Sequence, residues 1–400
     1  MNESFLQKLS RVRLKDIGHI FLFLLAIIPA IILKKFRPNI WLICDNKNEA
    51  RDNGYWFFKH LIEKHPYIDA VYAINKKSKD YFRVANLGEV IEYGSLHHWI
   101  YYLSASLNIS SQKYGKPNAA VCYFLEVTIG ILKNKRVFLQ HGVICNDLPF
   151  LHYKKAKYFI FCCGAYPEYE FVRKTFGYPS KSIKYTGLCR FDNLHEKNTD
   201  KQLVLIMPTW RMWLEREGYK KGREAFISSN YYNSWNSLLN SRQLFDLLER
   251  YNKRAVFCMH RNMHEFEAFF TSGAKKYIET LKWQDANIPD LIKKAGILVT
   301  DYSSVSMDFA YMKKPLVYYQ FDREDFTRSH LPTGYFDYER DGFGPVCKNE
   351  NSLITELEHI FQNDCTINQH YIDRIEKFFL LYDSNNCERT YQAIIDCLRG

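Results

Sequence analysis

The sequence holds no Cys-x-x-Cys pair, no assembled zinc-ligand array, no internal repeat and no low-complexity tract. Its eleven cysteines are odd in number and irregularly spaced, with Cys162 and Cys163 adjacent. That usage speaks against a disulfide framework and for reduced, cytosolic thiols. A GxxxxGK[ST] loop is missing, which argues against an ordinary P-loop nucleotide hydrolase. His260 and His264 stand in HxxxH without the glutamate of HExxH, so no metal site is assigned to them. Acidic residues are the scarcer charge, 44 Asp+Glu against 55 Lys+Arg, leaving a formal net charge of +11. The surplus predicts attraction to anions. No basic/aromatic recognition motif accompanies it, so nucleic acid is not the expected partner. What is present, 47% hydrophobic and 25% charged residues, is the composition of an ordered globular protein. Four hundred residues predict two domains of roughly 150–200 residues each.

The longest apolar run lies near the N-terminus. Lys8, Arg11, Arg13 and Lys15 precede Ile17–Leu33, interrupted by His19 and Pro29, and Lys34, Lys35 and Arg37 follow. Seventeen positions reach only the lower edge of a membrane span of about 17–25 residues. No small-residue cleavage pattern follows, and basic residues close both sides, which disfavours a signal sequence. A helix buried on the protein is the other alternative. The preferred expectation for residues 1–37 is a monotopic anchor, apolar side chains in the lipid interface and cations against an anionic membrane surface.

Beyond Pro38, short apolar runs alternate with longer mixed segments, the signature of α/β layers. The runs at 40–44, 70–74, 136–140 and 158–162 predict strands, with another near 89–93 and a helix at 55–62. A second series begins after the polar stretch 193–201, with predicted strands at 203–207, 255–259, 296–300 and 315–319. These patterns predict an α/β chain of GT-B-like architecture, two Rossmann-like domains facing a cleft plus the N-terminal membrane-associated helix. The expected boundaries are 38–198 for the acceptor side, 199–370 for the donor side, and 371–400 for a C-terminal helix packing across the domains.

Polar chemistry falls just past the strand ends, where parallel sheets place ligands. Gln140-His141-Gly142 offers a histidine that can accept a proton from an attacking hydroxyl; its bland reading is a structural histidine. Pro208-Thr209-Trp210-Arg211 offers a guanidinium for phosphoryl oxygens, a hydroxyl beside it and an indole to shield the contact. The alternative is a packed turn with a solvated arginine. Arg216, Lys220, Lys221 and Arg223 add positive charge on what reads as a loop. His260 follows a predicted strand and is the donor-phosphate candidate there. Thr300-Asp301-Tyr302-Ser303-Ser304 leads from a strand into a helix starting near Val305. Ser303 and Ser304 can cradle phosphate oxygens or simply cap that helix. Asp308 is a supporting candidate for that turn, and Gly342-Phe343-Gly344-Pro345 is either one edge of a cleft or a structural turn.

Taken together, these residues resemble the CDP-glycerol:poly(glycerophosphate) glycerophosphotransferase family. The resemblance rests on QHG at 140–142, PTWR at 208–211, His260, TDYSSVSMDFA at 300–310, KPLVYYQFD at 314–322, GFGP at 342–345 and DSNNCER at 383–389, and spans about residues 40–398. The sequence departs from the family pattern after the first histidine, with QHGVICNDLPF, and at His260, which precedes Arg261 instead of proline. The resemblance implies transfer of glycerol phosphate or ribitol phosphate from a CDP-alditol to a hydroxyl of a lipid-linked glycan or growing polymer, with release of CMP. It implies His141 as general base. Arg211, His260, Ser303 and Ser304 would bind the donor phosphates, with Thr209 and Asp308 in support. CDP-glycerol or CDP-ribitol enters as substrate; a divalent cation can assist, but no residue set specifies one. The expected location is the cytoplasmic face of the bacterial cell membrane. A nucleotide-sugar glycosyltransferase and a non-enzymatic polyanion-binding protein are the competing classes.

Overall fold

The computed structural model describes residues 14–113, 115–195, 198–214, 223–329 and 333–400. Lys8, Arg11, Arg13, Arg216, Lys220 and Lys221 lie outside the described residues. The chain forms two compact units, one comprising residues through His141 with Pro149–Asp192 and Asp383–Gly400, the other Gly142–Leu148 with Asn193–Tyr382.

The first unit is built on a seven-stranded parallel sheet: β1 Trp41–Cys44, β2 Ala70–Ile74, β3 Glu89–Glu92, β4 Leu107–Ser110, β5 Arg136–Phe138, β6 Ile160–Cys163 and β7 Ile183–Tyr185. Their order is β3-β2-β1-β4-β5-β6-β7. Strands such as β1 (WLIC) and β2 (AVYAI) are buried at every position, as parallel strands covered on both faces must be. The second unit holds a six-stranded parallel sheet: β8 Asp200–Met207, β9 Arg254–Cys258, β10 Ile278–Leu281, β11 Ala295–Thr300, β12 Leu316–Tyr319 and β13 Val346–Cys347. Its order is β10-β9-β8-β11-β12-β13. In each sheet the direction of winding reverses once, at β1/β4 and at β8/β11. Crevices at such reversals are the ligand sites of open parallel sheets.

The expected strands form within a residue or two of their predicted limits, apart from β8, which starts three residues earlier. Four strands, β4, β7, β10 and β13, were not legible in the hydrophobic pattern. The last three lie at sheet edges, where one face meets water and the run is short. β4 is central, but its LNIS sequence carries two polar residues in four positions.

The helix Leu14–Phe36 exceeds the apolar run and contains Pro29. Its 23 residues extend about 34 Å. Asp16, Phe23, Ala26 and Ala30 are buried, a stripe at helical spacing. Phe23 meets the Trp99 ring edge-on at 5.6 Å, Trp99 Nε1 donates to His19 Nδ1 at 3.1 Å, and Asn118 Nδ2 donates to Asp16 Oδ1 at 2.9 Å. The opposite face leaves Phe21, Leu24, Leu25, Ile28, Ile31 and Ile32 exposed. Among the described residues it is the one helix long and apolar enough to cross a membrane. The C-terminal region is a correction: residues 371–400 are not one helix. Gln369–Phe378 belongs to the second unit and Asn386–Arg399 to the first.

Candidate active site

Within the first unit, the end of β1 sets the geometry. Asp45, 1% exposed, accepts hydrogen bonds from Gly54 N (2.7 Å), Tyr55 N (3.0 Å), Ser111 Oγ (2.6 Å) and the Tyr72 hydroxyl (3.0 Å). A buried carboxylate needs such partners, and here they fix the start of the helix Asn53–Lys64 against β1, β2 and β4. Asp52, the N-cap of that helix, is thereby held in place. Its Oδ2 lies 2.5 Å from His141 Nδ1, and the Gln112 side-chain amide is 3.1 Å from the same nitrogen.

His141 stands just past β5 and its imidazole is 68% exposed. Gln140, not the glycine, takes the left-handed turn that presents it (φ 66°). This conformation is unfavourable for a residue with a Cβ, and side-chain bonds hold it. Gln140 Nε2 donates to Cys162 O at 2.6 Å and Glu168 Oε1 at 3.0 Å, and its carbonyl accepts from Asn53 Nδ2 at 2.8 Å. Arg190 closes the arrangement, its Nη1 reaching His141 O at 2.7 Å and Asp52 Oδ1 at 3.3 Å, its backbone N–H donating to Asn53 Oδ1 at 2.9 Å.

The Asp52 charge raises the His141 imidazole above its ordinary value, with the Arg190 charge opposing it. For Asp52, burial works against ionisation, but His141 and Arg190 outweigh it and hold the carboxyl below the usual range. A carboxylate on Nδ1 fixes the tautomer and leaves Nε2 as the nitrogen that accepts a proton. This is the base–orienter pairing of hydroxyl activation. The segment resembling DSNNCER supports it from behind. Asp192 accepts from Asn386 N, Asn386 Nδ2 and Cys387 N at 2.6–2.9 Å, anchoring the 3₁₀ turn Cys189–Asn193 that carries Arg190. Gly187, with φ 75°, packs where a Cβ would collide with Asn386.

In the second unit, the strand ends of β8, β11 and β12 are clasped by Arg211, and this corrects the expectation of a phosphate ligand. Its side chain is fully buried. Nε donates to Asp322 Oδ2 at 2.8 Å, Nη2 to Asp322 Oδ1 at 3.0 Å and Nη1 to Thr209 O at 2.8 Å, and Nη2 is ion-paired with Asp301 Oδ2 at 2.8 Å. The Tyr302 and Phe326 rings, stacked 3.7 Å apart, lie about 5 Å from its guanidinium. With its guanidinium held between two aspartates and the Thr209 carbonyl, Arg211 organises the turn. Burial pushes the Asp301 carboxyl up despite Arg211, since one cation faces two buried carboxylates.

Around that clasp the other candidates fall differently. Thr209 N donates to Asp301 Oδ1 at 2.7 Å, while the buried Thr209 hydroxyl has no hydrogen-bond partner among the described residues. Ser303 Oγ accepts from Val305 N at 3.3 Å, so it caps the helix Val305–Tyr311 at one lone pair. Ser304 is exposed and its side chain makes no capping bond. His260 Nδ1 accepts from Asn262 N at 3.2 Å, which places the proton of the neutral ring on Nε2. Its ring lies 6.2 Å from that of Trp210 and 6.0 Å from that of Trp283. Asp308 is buried within its helix, a place that suits support of the turn. His264 Nδ1 bonds Arg261 O at 3.0 Å. Gly342 and Gly344 pack where side chains would strike Tyr338 O and Leu316 O, so GFGP is a structural turn leading to β13.

Sequence reasoning missed Asp52, Arg190, Asp301 and Asp322. Asp52 had a signal, an aspartate directly before an apolar helix; Arg190 had none.

Comparison with known proteins follows the same lines. The sequence profile described as CDP-Glycerol:Poly(glycerophosphate) glycerophosphotransferase matches residues 28–396. The chain is 32% identical over 369 residues to the minor teichoic acid biosynthesis protein GgaB of Bacillus subtilis, covering 90% of this chain and 40% of that protein. It is 24% identical over 379 residues to a teichoic acid poly(glycerol phosphate) polymerase of Bacillus spizizenii, covering 84% and 87%. It thus spans about two fifths of the first relative and most of the second. A structure of the wall teichoic acid polymerase TagF superposes with a TM-score of 0.65 at 15% identity, covering 99% of both chains, a likeness of fold.

Proposed function

The chain belongs to the CDP-glycerol:poly(glycerophosphate) glycerophosphotransferase family, and on that premise we propose that it is an alditol-phosphate transferase of teichoic-acid-like polymer synthesis. The donor is CDP-glycerol or CDP-ribitol, and the acceptor is a hydroxyl of a lipid-linked glycan or growing polymer. The acceptor oxygen forms a bond to the phosphorus bearing the alditol, the bond from that phosphorus to the CMP oxygen breaks, and CMP leaves. His141 Nε2 takes the hydroxyl proton, and Asp52, 2.5 Å from Nδ1, stabilises the imidazolium that results. That pair is the observation carrying the proposal. His260, Ser303, Ser304 and the partnerless Thr209 hydroxyl serve the donor phosphates, whose oxygens gather charge during transfer. Arg211 acts only by holding their turn.

In this reading the two units are Rossmann-like domains of the GT-B class. The helix Leu14–Phe36 rests its exposed apolar face in the interface of the cytoplasmic membrane leaflet, where a lipid-linked acceptor is presented. The test is incubation of the full chain with CDP-glycerol and CDP-ribitol in parallel, each with lipid-linked glycan acceptors, with and without Mg²⁺, followed by product mass and linkage. A new phosphodiester and stoichiometric CMP support the proposal; transfer of a sugar from a nucleotide sugar, or no conversion of either CDP-alditol, would remove it. Vesicle sedimentation of a chain lacking residues 1–37 tests the anchor separately, and undiminished binding to anionic vesicles would reject it.

A further inference from the structure

Among the described residues, one set of metal-ligating side chains converges away from His141: His60, His65 and Glu388 of the first unit. His60 Nε2 lies 3.0 Å and His65 Nε2 2.8 Å from the same oxygen, Glu388 Oε2, and the three ligand atoms fall within 4.8 Å of one another. The convergence has a local cause. Five residues apart on a regular helix, two side chains point about 140° away from each other. Here the helix Asn53–Lys64 stops at His65, whose backbone leaves the helical region (φ −130°, ψ 55°) before Pro66. The break swings His65 back to the side of His60, facing the first turn of the helix Asn386–Arg399.

The surroundings orient each ligand. His65 Nδ1 bonds the Tyr67 hydroxyl at 3.0 Å, which bonds the Tyr391 hydroxyl at 2.8 Å, and the His65 ring stacks on Tyr391 at 3.7 Å. Gln392 Nε2 donates to Glu388 Oε1 at 2.8 Å, leaving Oε2 for the imidazoles. Such outer partners are characteristic of built metal sites. The end of the helix Asn53–Lys64 adds a negative dipole potential favourable to a cation. The side chains are 18%, 11% and 37% exposed for His60, His65 and Glu388, which leaves an ion a path to the site.

We propose that His60, His65 and Glu388 form a binding site for a divalent transition-metal ion, with zinc the best match, that staples the C-terminal helix Asn386–Arg399 to the helix Asn53–Lys64. Two imidazoles and a carboxylate suit zinc and disfavour magnesium or calcium, which take oxygen ligands. Ligands about 2.1 Å from a tetrahedral ion stand about 3.4 Å apart. The present separations, 2.8 and 3.0 Å at the carboxylate and no more than 4.8 Å across the set, are close to that value, with water at the fourth position.

The experiment uses the full chain with Zn²⁺ alone, titrated against a chromophoric chelator, then with Co²⁺, whose visible absorption reports a four-coordinate nitrogen/oxygen site. One equivalent of Zn²⁺ is expected at micromolar affinity or tighter, raising the melting temperature. Glu388→Gln and the double change His60→Ala/His65→Ala should weaken binding at least tenfold and abolish the Co²⁺ signal, with far-UV circular dichroism unchanged. Glu388→His, which restores a ligand, should recover binding with an altered Co²⁺ spectrum. Zn²⁺ affinity equal in the wild type and Glu388→Gln would overturn the proposal, as would a thiolate-type Co²⁺ spectrum or binding no tighter than millimolar.

Discussion

Replacing Asp52 by Asn keeps the shape of the side chain but removes the charge beside His141. A hydrogen bond to a charged group contributes about 1.5–3 kcal/mol. His141 is 68% exposed, and solvent screening places this one at the lower end, about 1.5–2 kcal/mol. If that stabilisation belongs to the imidazolium formed as the hydroxyl is deprotonated, kcat falls roughly ten- to thirtyfold at 1.36 kcal/mol per decade. Donor affinity stays the same, because Asp52 serves no donor phosphate. The pH profile gives an independent readout. His141 must be neutral to accept a proton, and Asp52 raises its pKa; wild-type activity is therefore lost as pH falls through that raised value. Without the carboxylate, the acid limb moves to lower pH, and the deficit of the variant narrows in acid. The assay is CMP release from the CDP-alditol at saturating acceptor across pH, with donor affinity measured by calorimetry. A kcat within twofold of wild type and an unmoved acid limb would refute the assignment of Asp52 and weaken that of His141.

Arg211→Lys should unfold readily, since it strands two carboxylates that now share a buried guanidinium. A loss of about 3–5 kcal/mol corresponds to roughly 6–20 °C in melting temperature for a unit of this size; unchanged melting with weakened donor binding would return Arg211 to the phosphate site. The double change Ser303→Ala/Ser304→Ala should raise the donor KM about tenfold or more with a smaller effect on kcat, consistent with hydrogen bonds to charged oxygens. An unchanged KM would leave those hydroxyls as caps only. Gly187→Ala imposes about 1–2 kcal/mol of left-handed strain and displaces Asn386, lowering both stability and turnover; Asn386→Gly in the same chain should restore part of the loss, and strict additivity of the two changes would exclude the contact as its cause.

Much of the fold was written in local pattern. Buried parallel strands must be apolar on both faces, so β1, β2, β9, β11 and β12 stand out as short hydrophobic runs, and polar residues directly after them mark the sheet ends. Strand-end position nominated His141, His260, Ser303 and Ser304 as candidates. The sequence could not say which partners those residues meet. Asp52 is 89 residues from His141, Arg211 is 111 from Asp322, and His65 is 323 from Glu388. Arg211 misled for the same reason: an arginine after a strand reads as a phosphate ligand until the fold brings Asp301 and Asp322 against it and excludes water. Backbone periodicity is a property of neighbours along the chain, whereas the charge state and accessibility of a side chain depend on which distant groups the sheet order carries to it, and that order is decided only when the strands assemble.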